Sequence, residues 1–222
     1  MRSPVETVAS SDQPAFHNLP GPLPDRADGS RRLAWLLVIG GLVGFAAAFV
    51  LLVEKIALLK DPSYVPSCSI NPILSCGSIM RTDQAEAFGF PNPILGVAGF
   101  AVVTAVGTAI LAGGSFRRWF WLGLQAGTVF GAVFIHWLIF QSLYRINALC
   151  PYCMVVWVVT IPLAWYTTVS NVRAGHVRVP RPLRTPARVA VDYHGVVLTA
   201  WYLLIGALVA QRFWDYWSSL LR

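Results

Sequence analysis

The chain predicts an all-α, polytopic membrane fold, on three observations. Only 12% of its 222 residues are charged and 56% are hydrophobic, against roughly 25% charged in an ordinary soluble domain. Its mean hydropathy is +0.59, so it carries more apolar surface than one soluble core of this size can hide. Five stretches are long enough and free enough of charge to cross a bilayer as helices. About 20 apolar residues, at a rise of about 1.5 Å each, span a hydrocarbon core of about 30 Å.

In chain order, residues 1–32 hold Pro4, Pro14, Pro20, Pro22 and Pro24 among Ser and Asp, and read as an extended, disordered tail. Arg31 and Arg32 end it. Leu33–Val53 follows as the first span; no small-residue cleavage site stands behind it, so it reads as a retained anchor rather than a signal peptide. A loop over 54–92 leads to the second span, Pro93–Ala112. Trp119–Gln141 and Pro151–Val169 are the third and fourth, which places a four-helix core over 33–170. A basic loop with Pro180, Pro182 and Pro186 covers 171–195, and the fifth span, Val196–Phe213, opens a last segment over 196–222.

Charge orients the spans. Eleven basic residues (Arg2, Arg26, Arg31, Arg32, Arg117, Arg118, Arg173, Arg178, Arg181, Arg184 and Arg188) fall on the side of the N-terminus. Six (Lys55, Lys60, Arg81, Arg145, Arg212 and Arg222) fall on the other. The positive-inside rule then places the N-terminus in the cytoplasm and the 54–92 loop outside. Aromatic residues agree: Trp119, Phe120 and Trp121 cluster at one end of the third span, and Trp214, Tyr216 and Trp217 at the far end of the fifth. The pI of 9.6 is thus a topology signal, so no nucleic-acid partner is expected, and the partner of the 171–195 loop is the anionic surface of the lipid bilayer.

On this topology Cys68, Cys76, Cys150 and Cys153 all lie on the outer face, where disulfides persist. Cys150-Pro151-Tyr152-Cys153 opens the fourth span, with Pro151 at the first helical position, where its missing N–H costs nothing. Cys150 is then the N-cap, and Cys153 shares its turn at the positive end of the helix dipole, which stabilises a thiolate. Zinc bound by the four thiolates is disfavoured: seven residues separate Cys68 from Cys76, outside the usual two to four of such sites, and the compartment is oxidising. No metal is expected. An inert disulfide at Cys150–Cys153 is the other alternative, although a loop of two residues constrains the unfolded chain little. Two pairs on one face permit a relay of thiol–disulfide exchanges. Its electrons need an acceptor, and without a haem, flavin or nucleotide motif, a lipid-soluble molecule held between helices is the simplest.

The joint pattern resembles the vitamin K epoxide reductase family, in its bacterial disulfide-forming branch. The resemblance rests on Cys68-x7-Cys76 in the first outer loop, Thr82 six residues later, Asn92 at the start of the second span, and Cys150-x-x-Cys153 opening the fourth. It covers 33–170. It implies a four-helix bundle around a quinone, menaquinone or ubiquinone, with the fifth helix added to it. It implies that Cys68 and Cys76 form a shuttle pair, Cys68 exchanging with a partner protein and Cys76 attacking Cys150, while Cys153 delivers electrons to the quinone. Asn92, Trp157 and Thr82 match positions near the ring. Trp157 stands where vertebrate relatives have Tyr, and Thr82 where Ser is common, which favours plain quinone reduction over vitamin K epoxide. The chain stops at Arg222, so the expected partner is a separate DsbA-like thioredoxin-fold protein, and the expected place is a bacterial inner membrane. The rivals are a reductase that supplies hydroquinone and a non-catalytic membrane protein with static disulfides.

Three further features stand out. Asn92, between Pro91 and Pro93, is a ready N-cap. His136 lies deep in the third span, as a proton donor or as a plain hydrogen bond to a neighbouring helix. Gly123, Gly127 and Gly131 in the third span, like Gly40 and Gly44 in the first, repeat every four residues and are expected to let helices pack closely, with dimerisation or room for a ligand as the alternatives.

Overall fold

In lipid, each backbone N–H and C=O has to be satisfied within its own segment, so long apolar runs become helices. The computed structural model describes residues 24–71, 73–214, 216 and 218. Among these it places α1 (Pro24–Lys60), α2 (Cys76–Met80), α3 (Pro93–Leu111), α4 (Arg118–Gln141), α5 (Pro151–Arg173), α6 (Arg184–Asp192) and α7 (His194–Arg212), and no strand. Five of them, α1, α3, α4, α5 and α7, are long and apolar enough to cross a membrane, one for each expected span. The protein is an all-α, polytopic membrane protein.

Two stretches differ from expectation. The tail expected over 1–32 is helical from Pro24 onward, because Pro presets the φ of a first helical residue and a helix already nucleated in the membrane extends at little cost. The rest of that tail, 1–23, lies outside the described residues, as do Trp217 and Arg222. The 171–195 loop is also partly helical: Arg181–Leu183 forms one 3-10 turn and α6 follows it. Leu183, Val189 and Tyr193 are exposed there beside Arg184 and Arg188, as suits an amphipathic helix at an interface.

α1 packs along α3 and α5, and α4 along α5, whereas α3 and α4 scarcely touch. Leu33, Leu37, Phe100, Leu124 and Leu163 fill the centre. The α1–α3 seam is close because it is built on glycine: a Cβ at Gly107 would lie 2.8 Å from Val38 and 2.9 Å from the Ala34 carbonyl, and one at Gly44 would run into the Phe100 ring. α7 sits outside this core, with none of its span buried. Pro162, inside α5, cannot donate to the carbonyl of Val158, and the Tyr202 hydroxyl of α7 donates to it instead at 2.6 Å. Trp201 of α7 donates to His136 Nε2 at 2.9 Å, while His136 Nδ1 lies 2.6 Å from the Ala132 carbonyl. His136 therefore ties α4 to α7, the plainer of its two expected roles.

Candidate redox site

The cysteines meet because the residues before them pair. Leu74 and Leu149 form a short parallel bridge, in which Leu149 N–H donates to Ile73 O at 2.7 Å and Ser75 N–H to Leu149 O at 2.9 Å. Cys76 comes directly after Ser75, which caps α2 by accepting from Ser78 N–H, and Cys150 comes directly after Leu149. Cys150 is the N-cap of α5 as expected: its backbone is extended and its sulfur accepts from Cys153 N–H at 3.4 Å. Cys68 and Cys76 are joined in a disulfide, and Cys150 and Cys153 are free thiols. Cys150 Sγ stands 3.0 Å from Cys76 Sγ, and both residues are sealed from solvent. A thiol in contact with a disulfide sulfur is the arrangement from which exchange proceeds.

The Cys150 thiol is held below its ordinary pKa. The main cause is the hydrogen bond from the Cys153 side chain, which works against burial and is helped by the backbone N–H groups of Cys153 and Tyr152. Three sulfurs, those of Cys68, Cys76 and Cys150, lie within 4.8 Å of one another. Two of them are bonded together, and a disulfide sulfur is no thiolate ligand.

Two buried charges at the end of α1 hold the loop that carries the disulfide. Glu54 accepts from the Tyr64 hydroxyl at 2.9 Å and from Ser67 Oγ at 2.5 Å, fixing the residue before Cys68. Lys55 donates to the Met80 carbonyl at 2.7 Å and pairs with Glu86 at 2.8 Å, which ties α1 to α2 and to the 3-10 turn Asp83–Glu86. Sequence reasoning missed these roles. Charges at the border of an apolar run look like interfacial anchors, and only their burial, 8% and 6% exposed, distinguishes them.

Between α3 and α4, closed behind by α1 and α5, lies an apolar cavity of about 680 Å³. Cys153, Trp157 and Asn92 line it, with Lys55 and Gln84 at the same end. Gly123, Gly127 and Gly131 line it too, and a Cβ at Gly123 or Gly127 would meet nothing within 4 Å. This corrects the packing role expected of the α4 glycines at two of the three: only Gly131 faces a neighbouring side chain, Thr160 of α5 at 3.6 Å, while Gly123 and Gly127 widen the cavity. Asn92 makes no side-chain cap. Its Oδ1 accepts from Ala87 N–H at 3.0 Å and its Nδ2 donates to Gln84 O at 2.7 Å, so it pins the loop over the cavity mouth. Thr82, expected near the ring, does not line the cavity, because its hydroxyl is spent on the Ile79 carbonyl at 2.7 Å. The expected set thus separates into three groups: Cys68, Cys76 and Cys150 in one sulfur cluster; Cys153, Asn92 and Trp157 on the cavity; and Thr82 in the supporting turn.

A family model described as the vitamin K epoxide reductase family matches residues 35–168, which are the four core helices and the cysteine loop. The chain belongs to the vitamin K epoxide reductase family. No curated protein matches it in sequence. As a member of that family it is a membrane oxidoreductase.

Proposed function

We propose that the protein oxidises a DsbA-like thioredoxin-fold protein and reduces a membrane quinone, menaquinone or ubiquinone, so driving disulfide bond formation. One observation carries this reading: Cys150 touches the Cys68–Cys76 disulfide while Cys153, one turn further on, lines the apolar cavity. The cysteine pair of α5 thus faces a disulfide with one sulfur and a lipid-compatible space with the other.

The partner's dithiol reduces the Cys68–Cys76 disulfide through Cys68. The Cys76 thiolate then attacks Cys150 of a Cys150–Cys153 disulfide and releases the Cys153 thiolate. Cys68 next attacks Cys76, which re-forms Cys68–Cys76 and frees Cys150. The bonded pair and the two thiols described above fit the end of this exchange. The lowered Cys150 pKa makes Cys150 a good leaving group in the second step. A quinone, when bound, supplies an acceptor for two electrons and two protons. The glycine-lined wall of α4, Trp157 and Asn92 would hold it beside Cys153, within an apolar lining. In this reading the cysteine end faces outward from a bacterial inner membrane and the N-terminus is cytoplasmic.

The test is quinone reduction by the detergent-purified protein, supplied with a reduced DsbA-like partner, for wild type and Cys153→Ala side by side. Turnover in the first and none in the second is expected. Equal turnover in both removes Cys153 from the relay, and turnover in neither, with partner and quinone verified competent, overturns the proposal.

A further inference from the structure

We propose that Arg212, the last residue of α7, is a positioning residue for Cys150, and that through it the fifth membrane helix sets the approach of Cys150 to Cys76. This rests on the exchange between those two cysteines and not on the identity of the acceptor. Arg212 reaches away from its own helix to the connection between α4 and α5. Its Nε donates to the Leu143 carbonyl at 2.8 Å, and its Nη2 donates to the Asn147 side-chain oxygen.

Both contacts fall on the segment that delivers Cys150. α4 runs into a π-helical turn, Ser142–Ile146, in which Leu143 is completely buried. Asn147 ends that turn at φ 58°, the only positive φ among the described non-glycine residues. A side chain is disfavoured in this left-handed conformation, which Asn tolerates best. The Asn147 N–H returns to Ser142 O, and three residues later the chain is at Cys150. Between them Leu149 makes the two bridge bonds that bring Ser75, and so Cys76, alongside. Arg212 thus grips the turn carbonyl and the left-handed residue together, and the geometry runs from the guanidinium through Asn147 and Leu149 to the two sulfurs.

The clamp adds a directional contact to helix packing. The end of α7 already rests on this connection through Leu208, Val209 and Phe213, which share an apolar cluster with Leu143 and Leu149, whereas its other polar links to the core, Tyr202 to Val158 O, Trp201 to His136 and Trp165 Nε1 to His194 O at 2.9 Å, lie away from the cysteine connection. A basic residue closing a helix is stabilised there by the dipole alone. Contact with Leu143 O and Asn147 is additional.

The test uses the full chain in detergent, in a Cys153→Ala background. There the Cys150 thiolate attacks Cys76, the Cys68–Cys76 bond breaks, and Cys68 leaves as a thiolate that takes up a proton, so no external oxidant is needed. Acid quench, alkylation and mass spectrometry give the ratio of Cys76–Cys150 to Cys68–Cys76 bonded protein. Arg212→Gln is expected to lower that ratio about tenfold, since displacements of an ångström already matter to reacting groups, and Arg212→Lys to restore part of it. Tyr202→Phe, which loosens α7 without touching the turn, is expected to leave the ratio as it was. An unchanged ratio in Arg212→Gln overturns the proposal, and so does an equal fall in Tyr202→Phe, which would make the effect one of helix attachment in general. No Cys76–Cys150 bond even in the Cys153→Ala parent would overturn the relay itself, an outcome distinct from a loss confined to Arg212.

Discussion

The α1–α3 seam and the α3–α4 gap use the same residue for opposite ends. In the seam, Gly44 of α1 and Gly107 of α3 face side chains and backbone so closely that any Cβ would collide. Across the gap, Gly123 and Gly127 of α4 face open space within the cavity. A glycine stripe is therefore only a permission for close approach, and what approaches is decided by the facing surface. Where Phe100 and Val38 fill the groove the stripe makes a seam; where no helix crosses, it makes room.

The largest effect should come from filling the room. Gly127→Phe is expected to lower kcat/KM for quinone roughly 100-fold, equivalent to about 3 kcal/mol, at an unchanged Tm. A fall in Tm without a change in quinone kinetics would show the gap to be an ordinary packed contact and end the comparison. The seam should answer in stability instead. Gly44→Leu forces a side chain into the Phe100 ring, and overpacking of this kind costs about 1–3 kcal/mol or more; a lower Tm by thermal denaturation is expected, partly recovered in Gly44→Leu/Phe100→Ala because the two sites share one contact.

The smallest effect sharpens the boundary where the cavity meets the sulfur cluster. The Cys153 side chain is the main cause that lowers the Cys150 pKa. In a Cys68→Ala/Cys76→Ala background, where no exchange competes, alkylation of Cys150 should therefore retain its rate to a lower pH than an ordinary thiol, whose pKa is about 8.5, and fall only as pH drops through the lowered value. Adding Cys153→Ala should move the midpoint of that profile upward. A midpoint that stays in place would separate Cys150 from its neighbour electrostatically.

How legible the site was depended on whether a role needed neighbours in sequence or in space. Cys150 as the N-cap of α5 could be read from Cys-Pro-x-Cys, because capping is local to one turn. Glu54 and Lys55 could not, since the same two residues at the end of an apolar run would serve as interfacial charges if no loop folded over them. Asn92 was read as a cap from its flanking prolines, yet its amide holds the loop from Gln84 to Ala87, five to eight residues back along the chain. Thr82 matched a family position, but the carbonyl of Ile79, within its own turn, takes its hydroxyl.

The amino-acid sequence by itself determined five apolar helices, the grouping of four cysteines at one end of them, and the first turn of α5, because hydrophobic length, charge placement and capping act over one segment at a time. Tertiary structure decided which sulfur touches which, which glycines pack and which leave space, and what α7 is fastened to. Those outcomes depend on the Leu74–Leu149 bridge, on the sparse contact between α3 and α4, and on carbonyls such as those of Val158 and Leu143 that take their donors from another helix. Such contacts join residues as far apart in the chain as Ile73 and Leu149, and no local pattern records them.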